Sequence, residues 1–131
     1  MKAIDVHVHV PAPPDHASTK EKEDMAGYFG AGDMPTTAED MYKKNKELES
    51  FAVIIEIDAE TTSGEPYVGN DYIAEIANTY PEQFMGFASV DPWKGQWAIN
   101  ELERSVKELG LKGLKLHPTT QAFYPNDRHF Y

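Results

Sequence analysis

The chain has 131 residues, with 12 lysines and arginines against 22 aspartates and glutamates, and its formal net charge is −10. This length predicts one domain, and the acidity excludes nucleic acid as a partner because phosphate binding requires clustered Lys and Arg. The absence of cysteine excludes disulfides and thiolate metal sites. No apolar run approaches the ~20 residues of a membrane span, so we expect a cytoplasmic protein with no membrane partner.

The first third of the chain predicts a strand, a long loop and a helix. Residues 3–10 alternate β-branched and polar types, as in a strand. The segment 11–35 is rich in Pro, Gly and charge, and we expect an irregular loop that shapes a binding pocket. A capping-box pattern, Thr36 with Glu39, predicts the start of a polar helix that ends near Glu49.

The remaining two thirds alternate strands and helices. Strands are predicted at 51–58, 84–90 and 111–117, helices at 73–80 and 99–109, and a Gly/Pro loop at 61–69. The last helix is marked by the spacing of Ile99, Leu102, Val106 and Leu109, and Gly110 suits its C-terminal cap. We also expect Trp93 and Trp97 to pack this helix onto the sheet.

The resulting order is βαβαβαβ, which predicts an α/β fold with a parallel sheet and right-handed crossovers. Four parallel strands could form a small open sheet or one half of an eight-stranded barrel. The order alone leaves both possibilities open.

His7-Val8-His9 is the sharpest local signal. Side chains two apart on a strand share a face, so both imidazoles and Asp5 should point one way, opposite Ile4, Val6, Val8 and Val10. Two imidazoles can share one divalent ion, with zinc favoured over manganese or iron, and Asp5 could support a ligand from behind. We predict His7 and His9 as metal ligands; the alternative is a pair satisfied by the backbone or by a polar barrel interior.

Lys115 and His117 form a second doublet, on the fourth strand. A lysine that faces a sheet interior needs a partner, and Glu56 or Asp58 on the second strand has the parity to provide one. With Asp91 after the third strand, all four strands end in polar residues, at the edge where α/β proteins bind ligands. We predict that Lys115 and His117 bind substrate; the alternatives are a structural ion pair for the lysine and a rim position for the histidine.

Four segments together resemble one known family. Residues 4–9 are similar to the first strand of the metal-dependent amidohydrolase superfamily. Residues 86–92, and more specifically 113–118 with 121–127, resemble its amidohydrolase-related branch. That branch includes aminocarboxymuconate-semialdehyde decarboxylase, resorcylate decarboxylases and related hydrolases.

The resemblance implies a (β/α)8 barrel of about 250 residues. Residues 1–131 would be the N-terminal part of that single domain, about four βα units with parallel strands, truncated after the fourth strand. His7 and His9 match the first-strand metal ligands, while a third histidine and an aspartate would lie on later strands. We therefore expect a piece that is inactive by itself and that needs the C-terminal half or a homo-oligomer.

The implied activity is that of a metal-dependent hydrolase or decarboxylase. Its substrate would be a small carboxylate, amide or lactone, attacked through a metal-activated water or a metal-polarised carboxylate. We assign no catalytic residue within this chain. The alternatives are a phosphoesterase whose barrel begins with His-x-His, and a non-catalytic half barrel that binds metal or dimerises.

Overall fold

A computed structural model describes residues 1–13 and 35–128. Most of the predicted pocket loop, residues 14–34, lies outside them. The strands are β1 (Ala3–His9), β2 (Ser50–Ile55), β3 (Phe84–Gly86), β4 (Ala88–Ser89) and β5 (Leu114–Lys115). The helices are α1 (Ala38–Glu47), α2 (Glu60–Ser63), α3 (Asn70–Thr79) and α4 (Gln96–Lys107), with a 3-10 helix at Pro92–Lys94. None of the helices in this part of the chain has the length and apolar character needed to cross a bilayer.

All strand pairs are parallel, and their order follows the chain. β1 pairs with β2, β2 with β3, and β4 with β5. Only Phe87 separates β3 from β4: its N–H donates to the carbonyl of Ile54, and the next N–H, of Ala88, donates to the carbonyl of Gly113. One run of chain therefore has β2 on one side and β5 on the other. The parallel α/β class is confirmed; the number of βα units in the complete domain stays a prediction.

The hydrophobic core lies between the sheet and the helices. Ile73 and Ile76 of α3 are buried against it, as the helical spacing predicted, and the helix ends just before Pro81. An added Cβ at Gly86 would come within 2.6 Å of the Leu111 side chain, so glycine allows this close approach. The buried apolar cluster comprises Val10, Met41, Ala52, Ile54, Ile73, Ala74, Ile76, Phe84, Ala88 and Leu111.

The start of α1 lies one residue later than predicted. Thr37 precedes the helix in extended conformation, and its hydroxyl accepts a hydrogen bond of 3.1 Å from the Asp40 N–H. The prediction of Thr36 with Glu39 was wrong by one position because the next pair repeats the same spacing of a hydroxyl and an acid. The loop predicted at 61–69 also begins within a short helix, α2, which ends at Ser63 and is followed by Gly64 with a φ of 73°.

The apolar spacing of α4 marks its buried side only in part. Leu102 packs against the core, as does Leu109 just after the helix. Ile99 and Val106, in contrast, are 60% and 49% exposed. The most buried positions of the helix are Ala98 and Ser105. Small side chains let a helix approach its neighbours closely. The spacing of the large apolar residues did not predict which small residues would be buried.

Trp93, just before α4, and Trp97, within α4, are not buried as packing of this helix onto the sheet would require. Trp93 and Trp97 are about half exposed, contrary to the prediction. The ammonium of Lys94 instead lies 4.7 Å from the centre of the Trp97 ring, which is a cation–π contact.

A β-bulge interrupts β1. Asp5 lies opposite Ala52 and Val8 lies opposite Ile54, so β1 has one more residue than β2 in this interval. A bulge breaks the alternation of side chains along a strand. Asp5 therefore does not follow the two histidines in a single alternating row, and this part of the prediction was wrong.

The bulge also divides the apolar residues of β1. Val8 and Val10, which follow it, pack against the core, whereas Ile4 and Val6 are 56% and 70% exposed. The four residues, which the sequence assigned to one face of the strand, therefore differ in burial. The core contacts of this strand therefore begin only after the bulge.

Candidate active site

The imidazoles of His7 and His9 lie side by side at the carboxyl end of β1. Their ring centres are 5.3 Å apart and their planes are tilted by 43°. A tetrahedral zinc ion with Zn–N bonds of about 2.0–2.1 Å holds two imidazole centres roughly 5 Å apart. Both side chains are exposed to solvent and therefore accessible. The pair fits two nitrogen donors of one ion.

Glu56 is the immediate neighbour of His9. Its Oε1 lies 3.3 Å from Nδ1 of His9, and its side chain is only 20% exposed. Glu56 follows β2, and β2 places Ile55 opposite His9 in the parallel register. The sequence suggested Glu56 as a partner of Lys115, but it contacts the histidine instead.

The surroundings of His7 favour its neutral form. Desolvation lowers the pKa of the His7 imidazole, and the positive charge of Lys115 lowers that pKa further. His9 and His117 act in the same direction, while the Asp5 carboxylate opposes them. The backbone N–H of His7 donates to that carboxylate at 3.0 Å. A neutral imidazole is the form that binds metals.

Electrostatics link His7 to the doublet of Lys115 and His117. The charges of both residues lower the pKa of the His7 imidazole. Such an effect falls off with distance, so both residues belong to the electrostatic surroundings of His7. The structure brings the rings of His7 and His9 together, while no hydrogen bond or ring contact joins the two doublets in the described part of the chain, and the roles of all four residues stay predictions.

His117 is fixed at both its backbone and its ring. Its N–H donates to Oε1 of Gln121 at 2.7 Å. Its Nδ1 lies 3.2 Å from the backbone nitrogen of Thr120 and 2.9 Å from the Thr120 hydroxyl. The turn after β5 therefore determines where this ring points.

Gln121 is fully buried and connects the ends of three strands. Its amide nitrogen donates to the carbonyls of Asp58 and Val90, at 2.8 and 2.9 Å, while its oxygen holds His117. The sequence drew attention to Gln121 only within the family resemblance. A glutamine with partners this distant in sequence leaves no local pattern that reveals the role.

Asp58 and Asp91 are buried inside the network instead of lining the predicted rim. Both carboxylate oxygens of Asp58 accept hydrogen bonds from Lys94 at 2.9 Å. The N–H of Asp91 donates to Asp58 at 3.0 Å, and the Asp91 carboxylate accepts from two backbone N–H groups. Their bonds to their own chain explain their burial, because a buried charge requires partners.

Lys115 is half-buried and pairs with neither of the expected carboxylates. Glu56 contacts His9, and Asp58 binds Lys94. Across residues 1–13 and 35–128, no carboxylate lies within ion-pair distance of the Lys115 ammonium. The predicted pairing was wrong, and the Lys115 charge, which lowers the pKa of His7, has no counter-ion among the described residues.

The histidine pair supplies only part of a metal centre. No group of three or more His, Cys, Asp or Glu in the described part of the chain could hold an ion. A catalytic zinc site typically has three protein ligands, so two imidazoles require at least one further donor.

Comparison with known proteins assigns the chain to a family. The sequence profile described as Amidohydrolase matches residues 4–131, and members of that family are typically metal-dependent. A gamma-resorcylate decarboxylase of Polaromonas sp. (strain JS666 / ATCC BAA-500) is 40% identical to the chain over 52 residues. The matched segment is 40% of this chain but only 16% of that relative. The profile spans nearly all of the sequence, and the chain therefore belongs to the amidohydrolase family.

Proposed function

We propose that this chain contributes the first-strand ligands and an anion-binding group to the active site of a metal-dependent hydrolase or decarboxylase. One observation carries the proposal: His7 and His9 lie at ligand spacing, and the pKa of His7 is lowered by the charge of Lys115, an ammonium with no ion-pair partner among the described residues. Family membership supports the same chemistry.

His7 and His9 would hold the ion, and zinc suits two imidazoles better than it suits an all-oxygen site. When bound, the ion supplies Lewis-acid chemistry that polarises a carboxylate, amide or lactone group. The lowered pKa of His7 keeps that ring neutral and able to bind. The remaining donors would come from outside the described residues, from further chain or from a second copy. The complete domain would then be a (β/α)8 barrel in the cytoplasm.

Lys115 and His117 would bind the substrate. An ammonium without a counter-ion among the described residues favours an anionic group, and a carboxylate meets that requirement. His117, held by Thr120 and Gln121, would add a hydrogen bond to the same group. We therefore propose a small carboxylate as the preferred substrate, which is also the class suggested by the matched decarboxylase.

The metal is tested by calorimetric titration of the metal-free chain with zinc. We expect one site that is weakened at least about 10-fold by His7→Ala or His9→Ala, because each replacement removes one of two donors. His117→Ala is the matched control: it should leave zinc affinity unchanged. Unaltered zinc binding in the His7→Ala/His9→Ala double variant would contradict the proposal.

The reaction is tested with the zinc-loaded protein. Gamma-resorcylate, an amide, a lactone and a phosphate monoester form the panel, with release of carbon dioxide separating decarboxylation from hydrolysis. We expect no turnover by the 131-residue chain alone. Turnover of the phosphate monoester would favour the phosphoesterase alternative, and metal-independent turnover of any substrate would refute the proposed chemistry.

A further inference from the structure

We infer that Glu56 and Thr120 hold His9 and His117 in opposite tautomers, which gives two imidazoles of the same site different chemical roles. In His9 the proton would lie on Nδ1, leaving a lone pair at Nε2. In His117 the proton would lie on Nε2, making that atom a hydrogen-bond donor. The assignment of the tautomers rests on the hydrogen bonds alone, and only their use rests on the proposed function.

The tautomer of His9 follows from the chemistry of its partner. An ionised carboxylate can only accept hydrogen bonds, so the Nδ1 that lies 3.3 Å from Glu56 Oε1 must carry the proton. The Glu56 side chain is mostly buried, which limits its freedom to turn away. A neutral ring protonated on Nδ1 has its only lone pair on Nε2, and carboxylates commonly orient metal-binding histidines in this way.

The tautomer of His117 follows from the opposite argument. A backbone N–H can only donate, so the Nδ1 that lies 3.2 Å from the Thr120 nitrogen must be unprotonated. The Thr120 hydroxyl, at 2.9 Å, can donate to the same atom. The neutral ring therefore carries its proton on Nε2.

Gln121 keeps the His117 turn in place. It binds the N–H of His117 and is fixed by the carbonyls of Asp58 and Val90. Because Gln121 is fully buried, the N–H of Thr120 is presented to the ring by a rigid support rather than by a free loop. The tautomer of His117 is thus set by the core.

The opposite tautomers separate the two histidines by role. His9 presents a lone pair and can serve as a metal ligand through Nε2. His117 presents an N–H, which suits a substrate carboxylate and makes it unsuitable as the missing third ligand. Glu56 and Thr120 are accordingly positioning residues: they act through the rings that they orient.

The tautomers can be read directly by nuclear magnetic resonance. The chain is labelled with ¹⁵N-histidine, kept free of metal, and examined by long-range ¹H–¹⁵N correlation at a pH above the histidine range, where the rings are neutral. We expect His9 to be protonated on Nδ1 and His117 on Nε2. The reverse assignment for either ring, or the mixture of tautomers typical of free imidazole, would overturn the inference.

Variants test which groups are responsible. Glu56→Leu should shift His9 towards the free mixture and leave His117 unchanged, while Glu56→Gln should preserve the wild-type state because its amide oxygen still accepts. Thr120→Val retains the backbone N–H, so His117 should keep its proton on Nε2. Glu75→Leu, an exposed change on α3, is the matched control and should alter neither ring. If Glu56→Leu does not fold, the spectra of the wild type and of Glu56→Gln still test the tautomer of His9.

Zinc titration separates this inference from the proposed function. Glu56→Leu should weaken zinc binding by about 10–100-fold, the usual effect of losing a group that orients a ligand. Glu56→Gln should retain most of the wild-type zinc affinity. Absence of zinc binding with the expected tautomers would reject the proposed function alone. Zinc binding with His9 protonated on Nε2 in the free protein would reject the inference alone.

Discussion

The side-chain oxygen of Gln121 accepts the backbone hydrogen bond of His117 at 2.7 Å, and the same amide holds the ends of β2 and β4 from inside the protein. The polar edge of the sheet is therefore supported by a buried side chain. This relationship makes the position of His117 depend on the stability of the core.

Replacement of Gln121 should destabilise the protein strongly. Gln121→Leu keeps the volume but leaves the His117 N–H and two buried carbonyls without partners, and we expect a loss of about 2–4 kcal/mol in the free energy of unfolding. Urea denaturation followed by circular dichroism measures it. Gln96→Leu on the exposed face of α4 is the control and should change stability by at most about 0.5 kcal/mol. Equal effects of the two changes would contradict the argument.

Loss of the Lys94 ammonium should lower the free energy of unfolding, because it leaves a buried carboxylate without its cation. Lys94→Met leaves the fully buried Asp58 without its cation, so we expect a loss of about 3–5 kcal/mol. Adding Asp58→Asn should recover part of that loss, because the charge is removed. Thermal and urea unfolding of the single and double variants provide the comparison.

An exposed ion pair gives the control for that experiment. Lys107 pairs with Glu103 on the surface of α4. Lys107→Met should change the free energy of unfolding far less than Lys94→Met does, because solvent screens an exposed pair. If the losses of stability from Lys94→Met and Asp58→Asn are simply additive, the ion pair between Lys94 and Asp58 is not the cause of the destabilisation.

Acid should weaken the contact between α3 and α4. The Arg104 guanidinium lowers the pKa of Glu101 below its ordinary value of 4.5, and hydrogen bonds from Asn70 and Ser105 act in the same direction, while burial opposes them. The unfolded chain therefore takes up this proton at higher pH than the folded chain does. The stabilisation is complete above pH 4.5 and is lost as pH falls through the lower, folded pKa.

This pH dependence can be measured by urea denaturation at a series of acidic pH values. Glu101→Gln should reduce the decline in stability below pH 4.5, because it removes the linked proton. Glu75→Gln, on the exposed side of α3, should leave the decline unchanged. An identical slope in wild type and Glu101→Gln would reject this assignment.

Gly86 should tolerate no larger side chain. Gly86→Ala would place its Cβ 2.6 Å from Leu111 and 3.0 Å from Ile73, and such overpacking usually costs about 1–3 kcal/mol. If Leu111 is the main obstacle, the same change should cost less in a Leu111→Ala background. A double-mutant cycle from urea midpoints measures the difference, and strict additivity would contradict the predicted clash.

Local pattern predicted the elements well and their partners poorly. The spacing of Ile73 and Ile76 revealed α3 because burial follows the helical period. The contact between Glu56 and His9 joins residues 47 positions apart, and no local period encodes it. The apolar spacing of α4 correctly included Leu102 but also included the exposed Ile99, because the burial of a helix position depends on what lies opposite it in the fold.

In the site, too, local patterns were predictable from the sequence and contacts between distant residues were not. Strand parity correctly grouped His7 with His9, because alternation is a property of one strand. It failed for Asp5, because a bulge depends on how β1 pairs with β2. The partners of Lys115 also required knowledge of the fold, since parity alone could not show that Lys94 already binds Asp58.

Because of the extra residue in β1, the alternation of side chains after the bulge differs by one position from the alternation before it. Both flanks of the bulge are paired with β2: Asp5 lies opposite Ala52 before it, and His9 lies opposite Ile55 after it. Removal of one residue between Asp5 and Val8 would therefore leave the two strands equally long in this interval, and both flanks of β1 would then share one alternation. The direction of the imidazole beside Glu56, relative to the first residues of the strand, thus depends on the length of this short interval.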